Sequence, residues 1–332
     1  MKFQKCLAVA CVLAIMSSSA QAVTIPQSYL DQATSVLAGD SSLISGWMTS
    51  QLKYVVPFNS TSGNVVPSQL KIFGFEVGVE GVVSGTKMDV DGLHNLNTSV
   101  ISTKNIDMFS RLPFPMVLGH AKIGLPFGFD AGVRIGGIPS TNENSGDSKA
   151  SVKNKVVGLD LRKKIIDEGA LKPFGLTLGL NYTHADGSLD FTNSNVSPGS
   201  YNIPGTTHYV SVANGVVAEH ADWKTNSVGL QAILDKQILI IRPYIGASVN
   251  HNSGNINNSI TSTGNPALDG NVDTTTTLSA IGSSTDTANK WDNRLLAGFE
   301  LTILPFVKLG FQGEYAGDKN MAGALGLRIQ FR

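Results

Sequence analysis

The chain has 332 residues, with 25 Lys or Arg balanced by 25 Asp or Glu, 42% hydrophobic residues and 35 glycines. That balance, with no basic patch or stripe, excludes nucleic acid as the partner. Both cysteines, Cys6 and Cys11, fall in the first 22 residues, so a chain that loses this segment has no disulfide, Cys-ligated metal or Cys nucleophile.

Residues 1–22 read as a secretory signal peptide. Lys2 and Lys5 form the charged start, residues 7–16 the apolar run, and Ala20-Gln21-Ala22 the small-residue cleavage motif. A membrane-spanning helix needs about 20 mostly apolar residues; this run is shorter and is followed directly by Ser17-Ser18-Ser19. Cleavage is expected after Ala22, with Val23 the first residue of the exported chain. Ala8-Val9-Ala10 before Cys11 is a poor lipoprotein motif. Without its two lysines the chain carries 23 bases against 25 acids, a formal charge of −2.

From residue 26 to 52, Leu30, Val36, Leu37, Leu43, Ile44, Trp47, Met48 and Leu52 recur at near-helical spacing. This predicts a short helix within an N-terminal unit of residues 23–69, acting either as a plug or lid for a barrel formed by the rest of the chain or simply as a seal across its mouth.

Beyond residue 70 the period becomes two. Phe73, Phe75, Val77 and Val79 alternate with Gly74, Glu76, Gly78 and Glu80, and Phe129, Ala131, Val133 and Ile135 with Asp130, Gly132 and Arg134. Near the C-terminus Val307, Leu309, Phe311 and Tyr315 oppose Lys308, Gly310, Gln312 and Glu314. The last run sets Met321, Leu325, Leu327, Ile329 and Phe331 against Ala324, Gly326, Arg328 and Gln330. A face of glycines and ionised groups in mid-strand suits a wet lumen behind a lipid-facing exterior. Only helices and closed barrels satisfy every backbone group in lipid. The fold class is therefore all-β, an antiparallel transmembrane β-barrel over residues 70–332. Strands are expected near 70–84, 115–124, 127–137, 153–165, 172–189, 222–236, 239–252, 289–303, 306–317 and 319–331. That is ten, and β-prone stretches at 85–114, 205–219 and 270–282 could raise it to 12 or 14.

Pro126-Phe127, Pro173-Phe174, Pro243-Tyr244 and Pro305-Phe306 each fall between alternating runs. Proline is tolerated at the first residue of a strand, so each pair is read as a short turn on one membrane side, its aromatic in the interfacial girdle. Residues 138–154, 190–221 and 251–289, rich in Asn, Ser, Thr and Gly, are expected to be long loops on the other side. Short periplasmic turns and long outer loops are the polarity of a bacterial outer-membrane barrel.

The last residues, Gly326-Leu327-Arg328-Ile329-Gln330-Phe331, resemble the C-terminal assembly signal of outer-membrane barrels, with Gly326, Ile329 and Phe331 its marks and Arg332 one residue beyond the usual aromatic end. Such a signal implies the barrel assembly machinery as a partner, alongside outer-membrane lipid. More broadly, Lys71-Ile72-Phe73-Gly74-Phe75-Glu76, Ile123-Gly124-Leu125-Pro126-Phe127-Gly128 with Arg134 after it, Trp223-Lys224-Thr225-Asn226-Ser227 and Arg242-Pro243-Tyr244-Ile245-Gly246 look like a domain-of-unknown-function family of outer-membrane barrels. The resemblance implies a fold and a location but carries over no functional residue. A looser likeness to long-chain fatty-acid transporters lies in layout and the structured N-terminal segment alone.

Alternation assigns to the lumen Glu76, Glu80, Asp130, Asp160, Glu300 and Glu314 with Lys122, Arg134, Arg162, Lys164, Arg242, Lys308 and Arg328. Six acids against seven bases favour an ion-pair network filling a narrow interior over an open, substrate-contacting channel, and the single-sign ring of a charge-selective pore is not evident. His120 turns inward beside Lys122 and is the best candidate base. His184, His208, His220 and His251 fall at strand ends or in loops. No Ser stands in a nucleophile motif, no cluster has metal-ligand spacing, and no calcium-loop consensus is present. The chain is therefore read as a non-enzymatic, porin-like transport barrel that needs no cofactor and binds or passes a small solute that could be apolar, with a structural or cell-surface role as the first alternative and a lipid-modifying barrel enzyme as the lesser one.

Overall fold

The computed structural model describes residues 24–63, 70–103, 111–145, 148–168, 172–196, 199–317 and 320–331; the signal segment lies outside them. After α1 (Gln27–Thr61) come β1 (Phe75–Lys87), a one-turn helix α2 (Val90–His94), β2 (Arg111–Leu125), β3 (Phe129–Ser145), β4 (Ser148–Ile166) and β5 (Gly175–Val196). Next are β6 (Ser200–Asn202), β7 (Tyr209–Asp235), β8 (Ile241–Leu268), β9 (Asn271–Val272) and β10 (Leu278–Thr287). The chain ends in β11 (Trp291–Leu304), β12 (Val307–Ala316) and β13 (Asn320–Phe331).

Ten of these strands close a ring. The antiparallel ladder runs β1-β2-β3-β4-β5-β7-β8-β11-β12-β13, and β13 returns to β1 with Phe75 opposite Phe331 and Thr86 opposite Asn320. Closure leaves the wall without an edge strand, which is the condition for crossing lipid. None of the described helices is long and apolar enough to cross a membrane. The short strands β6 and β9 decorate one end of the barrel, and β10 continues the line of β11 along β8, so none of the three enlarges the ring.

The outer face shows where the lipid sits. On β4, Val157, Leu159 and Leu161 point outward and are bounded by exposed Lys155 and half-buried Lys163. On β8 the outward row is Ile245, Ala247 and Val249, then His251, Ser253, Asn255 and Asn257. One end of the belt carries short turns and exposed aromatics: Phe73, Phe127, Phe174 and Phe306, with Phe75 stacked on Phe331 at 4.8 Å. At the other end the belt stops at Tyr182, Trp291, Tyr315 and Met321.

Above that second boundary the wall goes on. Residues 138–154, 190–221 and 251–289, expected as loops, are mostly paired strand: β3 meets β4 up to Ser145 opposite Ser148, β5 meets β7 up to Val196 opposite Gly215, and β8 runs 28 residues. At about 3.3 Å per residue, the 17 residues of β8 beyond His251 continue tens of ångströms past the lipid belt. The expectation failed because the outer face of these segments is polar and the inner face interleaves apolar residues such as Ile256 and Ile260 with Asn258 and Ser262, so the sharp two-residue period is lost. Their strand character is propagated by the hydrogen-bond ladder rising from the barrel, not encoded in alternation. β10 and β11 keep one register on β8, with Thr287 opposite Asn255 and Trp291 opposite His251, so they form a single wall strand interrupted at residues 288–290.

Two further expectations need correction. Pro243-Tyr244 is not a turn: the turn precedes it, with Ile238 and Ile241 bridged, and Tyr244 points inward, 4% exposed, donating to Gln312 Oε1 at 3.1 Å. The N-terminal helix is 35 residues long instead of short, about 52 Å. Pro57 inside it has no N–H to offer the carbonyl of Lys53. That carbonyl accepts instead from the backbone N–H of Asn289, at 2.9 Å, in the interruption between β10 and β11.

In β13 the face assignment has an energetic sign. Leu327 points outward, 46% exposed, in the row with Leu325, Ile329 and Phe331, whereas Arg328 is buried inward. Leu327→Arg should cost roughly 2 to 4 kcal/mol if it meets the lipid midplane and abolish the heat-modifiable gel shift of folded barrel. Arg328→Leu should retain the shift, since Glu300 keeps Lys308 and Glu76 keeps Lys122 as partners. The opposite pattern would mean that β13 is inside out.

Candidate functional site

The lumen is filled in two different ways. Toward the short turns, wall side chains meet one another; toward the tall end, α1 occupies the space.

In the lower half, Glu76, Lys122, Asp130, Asp160, Arg162, Glu300, Lys308 and Arg328 are all buried on the inner face. Lys308 Nζ lies 2.7 Å from Glu300 Oε1, and Arg328 contacts Glu300 and sits 3.5 Å from Glu76 Oε2. Lys122 Nζ is 3.4 Å from the same Glu76, and Arg162 is 3.5 Å from Asp160. Arg242 and Lys164 stand at the rim and share Asp235, at 3.1 and 3.9 Å. His120 lies between two carboxylates, 3.2 Å from Glu76 and 3.7 Å from Glu80. Glu80 lines a cavity of about 20 Å³ with Tyr244, Gln312 and Arg328, room for a single water.

The end of α1 sits on top of this network. Its last carbonyls carry the negative end of the helix dipole, and two arginines meet them. Arg134 donates to the carbonyls of Ser60 and Ser62 at 3.3 and 3.4 Å and to Thr183 Oγ1 at 2.5 Å. Arg294 bonds Glu314 Oε2 at 2.8 Å, Ser62 Oγ at 3.1 Å, Thr61 and Asp292, and lies 4.4 Å over the Phe58 ring. Glu314 accepts from the Gly63 N–H at 2.7 Å. Four strands, β1 through Ser84 on Asn59, β3, β11 and β12, thus hold one helix end.

Higher up, α1 leans on β8 and β10. Ser41, Ser45 and Thr49, four apart on one face, are buried; Ser41 Oγ is 2.8 Å from Ser262 Oγ and Ser45 Oγ donates to the Asn258 carbonyl at 2.9 Å. Gly282 is required here, because a Cβ would fall 2.1 Å from the Ser42 nitrogen. Leu37, Trp47, Leu52 and Val55 of α1 join an apolar cluster with Phe114, Met116, Leu118, Val156, Leu189 and Trp223 of the wall. The segment after α2 is drawn in by Asp40, whose carboxylate accepts the backbone N–H groups of Ser99, Val100 and Ile101.

Alternation also reaches groups that the reading from sequence did not name. Arg294 and Asp292 share the inner face of β11 with Glu300 and were findable by carrying the period through residues 291–304. Four of the other five histidines are peripheral: His208 is 2.6 Å from Asp269, His220 is 2.6 Å from Asp190, His184 bonds Asn226, and His251 packs edge-on against Trp291; His94 ends the short helix α2. Among the described residues no group of three or more His, Cys, Asp or Glu could hold a metal.

The family described as "Family of unknown function (DUF6588)" matches residues 2–331. The chain belongs to that family. No curated protein matches the sequence. Among solved structures, the chain is similar to the outer membrane protease OmpT from Escherichia coli, at 9% identity over 82% of this chain and 100% of that one, TM-score 0.38. It is similar also to the translocator domain of autotransporter NalP from Neisseria meningitidis, at 10% identity over 90% and 98%, TM-score 0.32. A third is a major outer membrane protein from Thermus thermophilus, at 9% identity over 77% and 99%, TM-score 0.31. The hydrogen-bonded ring, and not these likenesses, establishes the barrel.

The seat of α1 generates two predictions. Arg294→Ala leaves Asp292 and Glu314 buried without their cation, so it should destabilise the protein by about 3 to 5 kcal/mol, seen as a lower temperature for loss of the folded gel band; an unchanged temperature would show that the clasp is not needed. Glu219, on the inner face of β7 beside Asn258, lies eight residues above Ser227 and so beyond the lipid belt. Burial pushes its carboxyl up to about 7, against the smaller opposing effect of the Asn258 hydrogen bond. The folded state therefore holds the proton more tightly than the unfolded chain. Its stabilising contribution is complete below pH 4.5 and is lost as pH rises through 7, a swing of up to roughly 3 kcal/mol. Melting from pH 5 to 9 should fall less steeply for Glu219→Gln than for the parent; parallel curves would show that Glu219 is not the group that titrates.

Proposed function

We propose that the protein is a bacterial outer-membrane barrel whose lumen admits a small solute only when α1 leaves its seat. The observation that carries this is the filling of the tall half by one helix instead of by the wall's own side chains. A helix with side chains is about 10 to 12 Å across, so its departure opens a bore of that order down to the ion-paired floor, and the long side chains of that floor, Arg328, Lys308 and Lys122 among them, then have free space above to swing into as a solute passes. On β8 the seat suits a removable part: Ser41 and Ser45 meet Ser262 and Asn258 in small, hydrogen-bonded contacts that water can replace. The apolar flank at Phe114, Met116 and Trp223 would then face the vacated space and favours a solute with an apolar portion. The tall end is taken as the cell exterior and the short turns as periplasmic. The reading involves no reaction, since His120 is held between Glu76 and Glu80.

A second reading, contact with a surface partner, is favoured by the walls standing well above the belt with Ser253, Asn255, Asn257 and Ser259 outward. Shortening the exposed tip around Asn271 should then remove a surface phenotype while leaving assembly intact.

Planar-bilayer recording tests the first reading. Intact protein should be closed most of the time, and a variant lacking residues 27–61, shown to fold by its heat-modifiable mobility, should conduct in discrete steps. A Ser41→Cys, Ser262→Cys pair should abolish residual openings of the full chain when oxidised and restore them when reduced. Silence in the intact chain and in the folded deletion alike would end the transport reading.

A further inference from the structure

The contacts of α1 fix the direction in which the chain runs through its own barrel. β8 rises from Ile241 at the short turns to Leu268 at the tall end, so it serves as a ruler. Tyr29 lies against His208, 6.2 Å between ring centres, at the tall rim. Ser41 meets Ser262 and Ser45 meets Asn258. Lys53 bonds Asp286, whose partner on β8 is Ile256, and its carbonyl meets Asn289. Thr61 reaches Arg294, opposite Ser248. Phe73 and Gly74 finally pair with Gly124 at the short-turn rim. Each step along the sequence is a step down the barrel.

We propose that the start of α1 is displayed at the cell surface, and that the segment from there to Gly63 is carried outward through the lumen during assembly. A chain delivered to the periplasm, whose first strand begins at the periplasmic rim, can place Gln27 at the far end only if that segment passes up the inside of the ring. The exposed residues Gln27 and Ser28 then face the cell exterior, next to Tyr29 and the His208–Asp269 pair at the tall rim. This inference rests on the outer-membrane orientation proposed above, but not on solute passage.

Substituted-cysteine labelling separates the two. With Cys6 and Cys11 replaced by Ser, single cysteines are placed at Ser28, at Asn271 on the tall tip and at Lys172 beside a short turn, all exposed positions. Each variant is checked for folding by gel shift and for thiol content after denaturation. A membrane-impermeant maleimide on intact cells should label Ser28→Cys and Asn271→Cys at similar rates, and Lys172→Cys only after permeabilisation. Labelling of Asn271→Cys without Ser28→Cys would overturn the threading while leaving the orientation in place. Labelling of Lys172→Cys on intact cells without Asn271→Cys would overturn the orientation, and both proposals with it.

Discussion

The architecture depends on one constraint, that no backbone N–H or carbonyl can be left unpaired where the wall meets lipid. The pairing of β13 with β1 meets it by removing the only two edges a ten-stranded sheet would have. Once the ring is closed the exterior is settled, because every outward side chain in the belt sees hydrocarbon. The interior is then a cylinder too wide for apolar packing alone and too narrow to be left as bulk water. Its filling determines what the protein does.

Two kinds of filling meet at mid-height. Below, charged side chains from neighbouring strands neutralise one another; buried pairs of this kind add little net stability but penalise heavily the loss of a single partner. Above, a helix brings its own backbone already paired and needs care only at its ends and at Pro57. The junction is therefore the most demanding place in the molecule. Arg134 and Arg294 belong to both worlds: Arg294 neutralises Glu314 and Asp292 of the wall while bonding the Thr61 and Ser62 hydroxyls, and Arg134 bonds Thr183 of the wall while satisfying the Ser60 and Ser62 carbonyls. Gly282 plays the matching steric part higher up, where the helix backbone approaches the wall too closely for any side chain.

Much of this was legible in the sequence, for a physical reason. Wherever one face meets lipid and the other an ion-paired lumen, hydropathy alternates sharply, and runs such as Phe75 to Val79 or Leu325 to Phe331 announce both strand and face. The ten strands near the belt could be counted on that signal. Above the belt the outer side is wet and the inner side mixed, so Ile256 and Ile260 inside stand among Asn252, Gly254, Asn258 and Ser262, which differ little from Ser253, Asn255 and Ser259 outside, and the wall reads as loop. Pro243-Tyr244 misleads because the same dipeptide chemistry serves a turn at Pro126-Phe127 and a strand start here; only the apolar turn at Ile238, before it, tells them apart. The end of α1 was hidden by Pro57, a residue that ordinarily breaks a helix. Its compensation comes from Asn289, far away in sequence, and no local pattern can report that.

That compensation has a mechanical consequence. Along α1 the break at Pro57 leaves a carbonyl inside the helix that needs an outside donor, and Asn289, in the interruption of the wall, supplies one. Acceptor and donor are matched at this one level. Shifting the helix by one turn, about 5.4 Å, would strand the Lys53 carbonyl in the lumen and leave the Asn289 N–H facing a helix with nothing to accept it. Intermediate depths are thereby penalised, and the element behaves less like a throttle that slides by degrees than like a stopper with a single click position, either home or out.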